Sequence, residues 1–218
     1  MNCVVTAGPT YEPLDDVRRL TNFSTGQLGC ELASYLTDQG HGVTLLFGEN
    51  ATYRGERNAR RVQIFTTTAD LREQLEALSG QGIDAVFHAA AVSDFRFGKV
   101  WLRTSQGKMS PVKAGKIPTR EDSGMLMAEL IATPKVLAEL RQWFPKGRLV
   151  GWKYEVDGKR PAVLRLAQKQ LAECLTDGCV ANGPAYGEGF GLITTESEPK
   201  HLEDKPALFK ALEEFIRE

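Results

Sequence analysis

The stretch TNFSTGQLG, residues 21–29, places an amide, hydroxyls and two glycines at the start of an apolar-periodic segment. A helix N-terminus carries unpaired backbone amides and the positive end of a dipole, so Ser24, Thr25 and Gly26 there would cradle a phosphate. A plainer reading stands beside it, because Ser24-x-x-Gln27 has the spacing of a capping box. Ahead of the cradle runs GPTYEPLDDVRR (8–19), a charged detour where a nucleotide-binding fold usually turns straight from first strand to first helix. The detour leaves room for a bulky second substrate beside Asn22. That asparagine either meets a carboxylate or makes a turn bond to backbone. No G-x-G-x-x-G joins the first strand to the helix, and no G-x-x-x-x-G-K-[ST] occurs in the chain.

The elements that must position these residues alternate. The pattern predicts strands over 2–8, 41–48, 61–67, 84–92, 125–131, 148–155, 179–182 and 191–196. It predicts helices over 25–39, about 69–78 with Thr68 as N-cap, from Thr133-Pro134 to about Phe144, 161–176 and 206–217. Alternation of this kind implies an α/β fold with a doubly wound, mostly parallel Rossmann-like sheet, whose ligands sit outside the carboxyl ends of the strands. The chain reads as a single domain over 1–218. Residues 95–124, rich in Gly, Lys, Pro and Ser, read as a flap or insertion too long for a routine connection.

Composition narrows the function classes. The 218 residues are 42% hydrophobic and 25% charged, enough for one substantial core, and the net charge of −1 provides no global field for gripping nucleic acid or an anionic membrane. No apolar run approaches a membrane span and the N-terminus lacks a basic n-region, so a cytoplasmic protein is expected. Cys3, Cys30, Cys174 and Cys179 form no CxxC pair and read as reduced, buried thiols. His41, His88 and His201 lie far apart without ligand spacing, so no protein-held metal is expected.

TAGPTYEPLDDVRRLTNFSTGQLG resembles the signature of the phosphopantothenoylcysteine synthetase family, stand-alone form. Further matches follow in order: AAAVSDF (89–95), Gly115-Lys116-Ile117, TPKVL (133–137), GWKYE (151–155), an A-x-K-x-L helix (167–171) and VAN (180–182). The resemblance implies a ligase that activates the carboxylate of 4′-phosphopantothenate with CTP or ATP, releases pyrophosphate, and lets the amine of cysteine displace the nucleotide. It implies catalytic roles for Asn22, for Lys116 in a mobile loop and for Arg18 as a fork on phosphate or carboxylate. It also implies nucleotide contacts from Gly8, Ser24, Thr25, Gly26, Ala90, Ala91, Asp94, Thr133, Pro134, Lys135, Val136, Trp152, Lys153 and Lys169. Magnesium would arrive with the nucleotide, and the family is dimeric, with 99–131 as the region that would supply a dimerisation sheet segment.

Each role has a structural counterpart. Asp15, Asp16, Arg18 and Arg19 also read as a solvated charge cluster, Asp94 as a turn cap, and Trp152 as core. The cationic flap, with Lys99, Arg103, Lys108, Lys113, Lys116 and Arg120, reads either as a lid over phosphates or as a soluble loop. The family's K-I-K-K is here Lys116-Ile117-Pro118-Thr119, and the lysine one turn after Lys169 is replaced by Glu173. Two rival functions share the fold: an NAD(P)-dependent reductase or epimerase, with Glu49 after the second strand, and a non-catalytic nucleotide-binding paralogue. The reductase lacks its Tyr-x-x-x-Lys pair.

Overall fold

The computed structural model describes residues 1–112, 115–117 and 124–217. In chain order its elements are β1 (Asn2–Ala7), β2 (Tyr11–Pro13), β3 (Arg19–Thr21), α1 (Gln27–Asp38), β4 (Gly42–Gly48), β5 (Arg61–Phe65), α2 (Thr68–Ala77), β6 (Ala85–His88) and β7 (Phe95–Arg103). They continue with β8 (Met109–Pro111), β9 (Met125–Ala132), α3 (Val136–Trp143), β10 (Arg148–Tyr154), α4 (Arg160–Cys174), β11 (Gly178–Asn182), β12 (Phe190–Thr194), β13 (Lys200–Leu202) and α5 (Lys205–Arg217).

Eight strands form the central sheet in the order β13-β12-β11-β10-β6-β1-β4-β5, with β12 reversed against both neighbours and the other pairings parallel. The near-continuous apolar runs of β1, β4 and β6 are those of strands covered on both faces. Leu32 and Leu36 of α1 and Leu208 and Leu212 of α5 pack on one face with Val5, Phe87 and Val150. On the other, Leu71, Leu75 and Leu140 of α2 and α3 meet Val4, Val86 and Leu149. Helix α4 shares that second face, since a Cβ on Gly151 would meet both Leu137 and Gln170. The chain leaves β1 toward β4 and β5, then returns to β6 on β1's opposite side. The carboxyl ends of β1 and β6 therefore flank the switch point where this architecture binds ligands.

Several expectations are corrected. The charged detour contains a short hairpin, β2 on β3. Strands β7 and β8 of the flap pair with β9 in a three-stranded antiparallel sheet, β8-β7-β9, in the region expected to supply a sheet segment, with a register shift between Phe97 and Val100. Strand β6 stops at His88 instead of running to residue 92. Helix α2 is capped by Thr67 rather than Thr68, its side chain accepting from the Asp70 amide. Helix α3 begins at Val136, because Thr133 is drawn away: its amide donates to the Asp94 carbonyl and its hydroxyl to the Ser93 carbonyl. Lys113, Pro118, Thr119 and Arg120 lie outside the described residues. The four cysteines are buried and free.

His88 ends β6 beneath the crevice, buried, with Nδ1 3.0 Å from the Thr6 hydroxyl. Thr6 Oγ1 already accepts from the Ala90 amide at 3.1 Å, so its hydrogen is free for the imidazole, which accepts it in neutral form. Burial pushes the His88 pKa down to about 4. Below pH about 6.5 the unfolded chain takes up a proton that the folded chain resists until about 4, so this residue's contribution to stability falls as pH drops across that window. Between pH 7 and 4.5, urea unfolding of the wild type should lose about 2–3 kcal/mol more than His88→Gln. Equal losses would contradict a neutral buried imidazole.

Candidate functional site

The loop after β1 is sewn to the loop after β6 by backbone. Ala91 N donates to Gly8 O at 3.0 Å and Thr10 N to Ala91 O at 3.1 Å, continuing the parallel pairing past the strand ends. Below this seam the buried Thr10 hydroxyl accepts from Ser93 N at 2.8 Å and reaches Ser93 Oγ at 3.1 Å and Thr68 Oγ1 at 3.3 Å. Above it, Thr21 Oγ1 donates to Thr10 O at 2.9 Å and Asn22 Nδ2 to Ala91 O at 3.2 Å. Asn22, although exposed, thus makes the backbone-directed bond that its plainer reading implies. Among the described residues its Oδ1 accepts no hydrogen bond, leaving an acceptor at the switch point.

Helix α1 starts two residues later than the sequence implies, at Gln27, with Gly26 at the N-cap. The Ser24–Gln27 capping box does not form: no side-chain cap bond is made, and Gln27 Nε2 reaches Glu31 at 2.6 Å instead. Thr25 Oγ1 accepts from the Gln27 amide at 3.2 Å. The Leu28 and Gly29 amides belong to the first turn and have no partner among the described residues. Both glycines face the sheet. Gly26 adopts φ 78°, and a Cβ on Gly29 would lie 2.6 Å from that of Ala7. Their absent side chains let the helix end descend onto β1 beside Gly8, which brings its amides to the crevice.

The detour's tip makes a different junction. Asp15 Oδ1 accepts from the Val17 and Arg18 amides at 3.0 and 2.7 Å, and Oδ2 accepts from Arg18 Nε at 3.1 Å and from the Ile117 amide at 3.0 Å. Arg18 Nη2 donates onward to Ile117 O at 2.7 Å, and Asp16 N to Gly115 O at 2.8 Å. The Arg18 guanidinium and these amides hold the Asp15 carboxyl well below the usual carboxylate range. Arg18 is therefore no free fork for substrate within this chain; it is engaged in gripping the segment that carries exposed Lys116.

The remaining predicted residues divide by location. Ala90, Ala91, Asp94 and Thr133 gather at the crevice, with Pro134, Lys135 and Val136 leading into α3. Trp152 projects to the α1/α5 face, as does Asn182, two residues beyond Val180 in the register. Trp152 Nε1 and Asn182 Oδ1 are buried and have no hydrogen-bond partner among the described residues. Asn182 was legible only as the last letter of VAN; its orphaned oxygen is a structural signal. Lys153 points to the other face and pairs with Glu155 at 2.8 Å. Lys169, exposed on α4 on that second face, lies 3.7 Å from Glu173 and is not brought to the α1 cradle within one chain. Glu49, the residue after the second predicted strand that the reductase reading invokes, is paired with Arg19 at 3.2 Å.

A helix's amide end set down beside Gly8 and Ala7, next to small residues after β6, is suited to an anionic ligand. Residues 1–198 match the family described as the DNA/pantothenate metabolism flavoprotein C-terminal domain, and the chain belongs to that family. A coenzyme A biosynthesis bifunctional protein CoaBC of Thermococcus kodakarensis is 33% identical over 181 residues, 82% of this chain and 40% of that protein. The chain spans about half the length, or less, of the curated relatives it matches. The DNA/pantothenate metabolism flavoprotein of Streptococcus pneumoniae superposes with a TM-score of 0.83 at 25% identity, covering 100% of this chain and 98% of that one. A Cab2 variant in complex with phosphopantothenate-cysteine shares the fold, with a TM-score of 0.69 at 20% identity, covering 99% and 87% of the two chains.

The packing of α1 predicts opposite outcomes for two small changes. Gly29→Ala should destabilise by about 1–3 kcal/mol, since the added methyl meets Ala7 in a close-packed core. Ser24→Ala, which removes no cap bond, should stay within about 0.5 kcal/mol of wild type. Urea denaturation checks both, and a large loss for Ser24→Ala would restore the capping box.

Proposed function

We propose that the chain is a nucleotide-dependent ligase that joins 4′-phosphopantothenate to cysteine in coenzyme A biosynthesis, in the cytoplasm, with CTP or ATP as co-substrate. A carboxylate oxygen of phosphopantothenate attacks the nucleotide's α-phosphorus and pyrophosphate leaves. The amine of cysteine then attacks the acyl carbon, a proton departs, and the nucleoside monophosphate is released. The observation that carries the reading is the meeting of Asn22 with the amide end of α1 at the switch point, in a chain of this family.

Catalysis of this kind rests on positioning and on neutralising charge. The Leu28 and Gly29 amides, with the exposed Thr25 side chain and Ser24, receive phosphates. Trp152 and Asn182, on the same sheet face two and three strand intervals from β1, or roughly 10 and 14 Å, supply a donor and an acceptor for the base and sugar. With Asn22 Nδ2 committed to Ala91, its oxygen accepts from the attacking amine, so its part falls in the second step. Lys116 offsets charge on the activated carboxyl and phosphate. Magnesium comes with the triphosphate; among the described residues no cluster of three or more His, Cys, Asp or Glu is placed to hold a metal.

The β8-β7-β9 sheet supports the dimer that the family resemblance implies. Met125, Leu126, Met127, Leu130 and Ile131 of β9 are all exposed, an apolar density that a solvated strand does not carry. A second copy of this chain is the occupant we assign to it. Among the described residues no helix is long and apolar enough to cross a membrane.

Two measurements test these readings. Pyrophosphate release with phosphopantothenate, cysteine, Mg²⁺ and either CTP or ATP should proceed with at least one nucleotide. Folded protein silent with both would refute the ligase. Light scattering should give twice the chain mass for wild type and the monomer mass for Leu126→Glu/Leu130→Glu; a monomeric wild type would remove the assigned occupant.

A further inference from the structure

We infer that Asp15 is a positioning residue that acts through Lys116, clamping the segment that carries the lysine onto the tip of the β2–β3 hairpin. The proposal rests on the ligase reading for its catalytic consequence, and on geometry alone for the clamp.

Ile117 is held at both of its backbone polar atoms. Its amide donates to Asp15 Oδ2 at 3.0 Å and its carbonyl accepts from Arg18 Nη2 at 2.7 Å. One residue before the lysine, Gly115 O accepts from Asp16 N at 2.8 Å. Lys116 is therefore exposed yet flanked by anchored residues, and Ile117 is buried. The Asp15 side chain is 1% exposed, whereas that of Arg18 is 41% exposed. A carboxylate withdrawn from water within a surface turn, accepting from three backbone amides and a guanidinium, is a built junction.

The hairpin gives that junction a destination. Its other end, Thr21 and Asn22, is fastened to Thr10 and Ala91 at the crevice. Glu12, buried in β2, accepts from the Thr68 amide at the start of α2, and Arg19 in β3 stacks on Tyr11 and pairs with Glu49. A short two-stranded ribbon is marginal by itself, and these bonds make it a stiff arm. Loss of Asp15 would free the lysine's segment from that arm without removing either Lys116 or Asn22, and the charge-balanced Asp15–Arg18 pair is needed for both bonds to Ile117.

The test pairs Asp15→Ala with Asp15→Asn, which keeps the shape and one acceptor. Hydrogen exchange should quicken at the Ile117 amide by at least tenfold in Asp15→Ala, with the β1 amides unchanged. Single-turnover pyrophosphate release without cysteine, which reads the first step, should slow at least tenfold in Asp15→Ala and less in Asp15→Asn, with nucleotide KM altered less than threefold. The double variant Asp15→Ala/Lys116→Ala should be no slower than Lys116→Ala, as expected when one residue acts through the other. Unchanged exchange at Ile117 would overturn the clamp. Rate losses that multiply in the double variant would overturn the action through Lys116. A wild type that releases no pyrophosphate would refute the ligase reading instead, and the exchange measurement would still decide the clamp.

Discussion

One buried hydroxyl closes the crevice on which the rest of the site is built. Parallel strands whose crossovers leave in opposite directions must separate at their carboxyl ends, and the loops that follow carry unpaired amides and carbonyls. Here Thr10 resolves that frustration. Its backbone extends the β1–β6 pairing to Ala91, and its Oγ1 lies within hydrogen-bonding distance of groups on the β6 loop and the start of α2. In a site of low dielectric such a satisfied network fixes one arrangement, because an unpaired member would cost about 1–3 kcal/mol. Asn22, Ala91 and Ser93 occupy defined positions because this seam leaves them little else to do.

The glycines at the start of α1 answer to the same constraint. An ordinary capped helix would stand off the sheet by the thickness of a side chain. Gly26 and Gly29 remove that thickness on the inner side, so the amide end is set down next to Gly8 and the Thr10 seam. The unpaired amides thus lie over a close-packed base, and a capping side chain over them would have spent the donors that a ligand needs.

The order of strands and helices was legible because buried parallel strands and amphipathic helices carry strong periodicities. The nearly continuous apolar run of β1 and the Leu28, Leu32, Leu36 spacing of α1 are such signals. What escaped had contacts rather than pattern behind it. Strands β2 and β3 are three residues each, held by Glu12 and Arg19 reaching other elements. β7 hides its alternation across the irregularity between Phe97 and Val100. The start of α3 shifted because Thr133 found better partners in the β6 loop than at a helix end. Among the proposed site residues, the glycine-thinned helix start was readable from type and spacing, and Asn22 from the resemblance of its motif. Arg18 was readable as important but not in its role, since the carboxylate that occupies it sits three residues away and the peptide it grips lies 99 residues on.

The unsatisfied atoms on the α1/α5 face sharpen the proposed direction of the nucleotide. A buried indole N–H and a buried amide oxygen without partners among the described residues are each costly, and native folds rarely retain such groups without a use for them. Trp152 and Asn182 sit on adjacent strands at the carboxyl edge, on the face where α1 presents its amides, whereas Lys153 and Lys169 belong to the face covered by α4. On the proposed function, a nucleotide laid from α1 toward β11 would meet the phosphate donors first and the proposed base-reading groups last, without crossing the sheet. The same geometry separates the lysines by reach: Lys153 and Lys169 belong to the α4 face, whereas Arg57, stacked on Phe47 beside Gly26, lies on the face of the α1 amides.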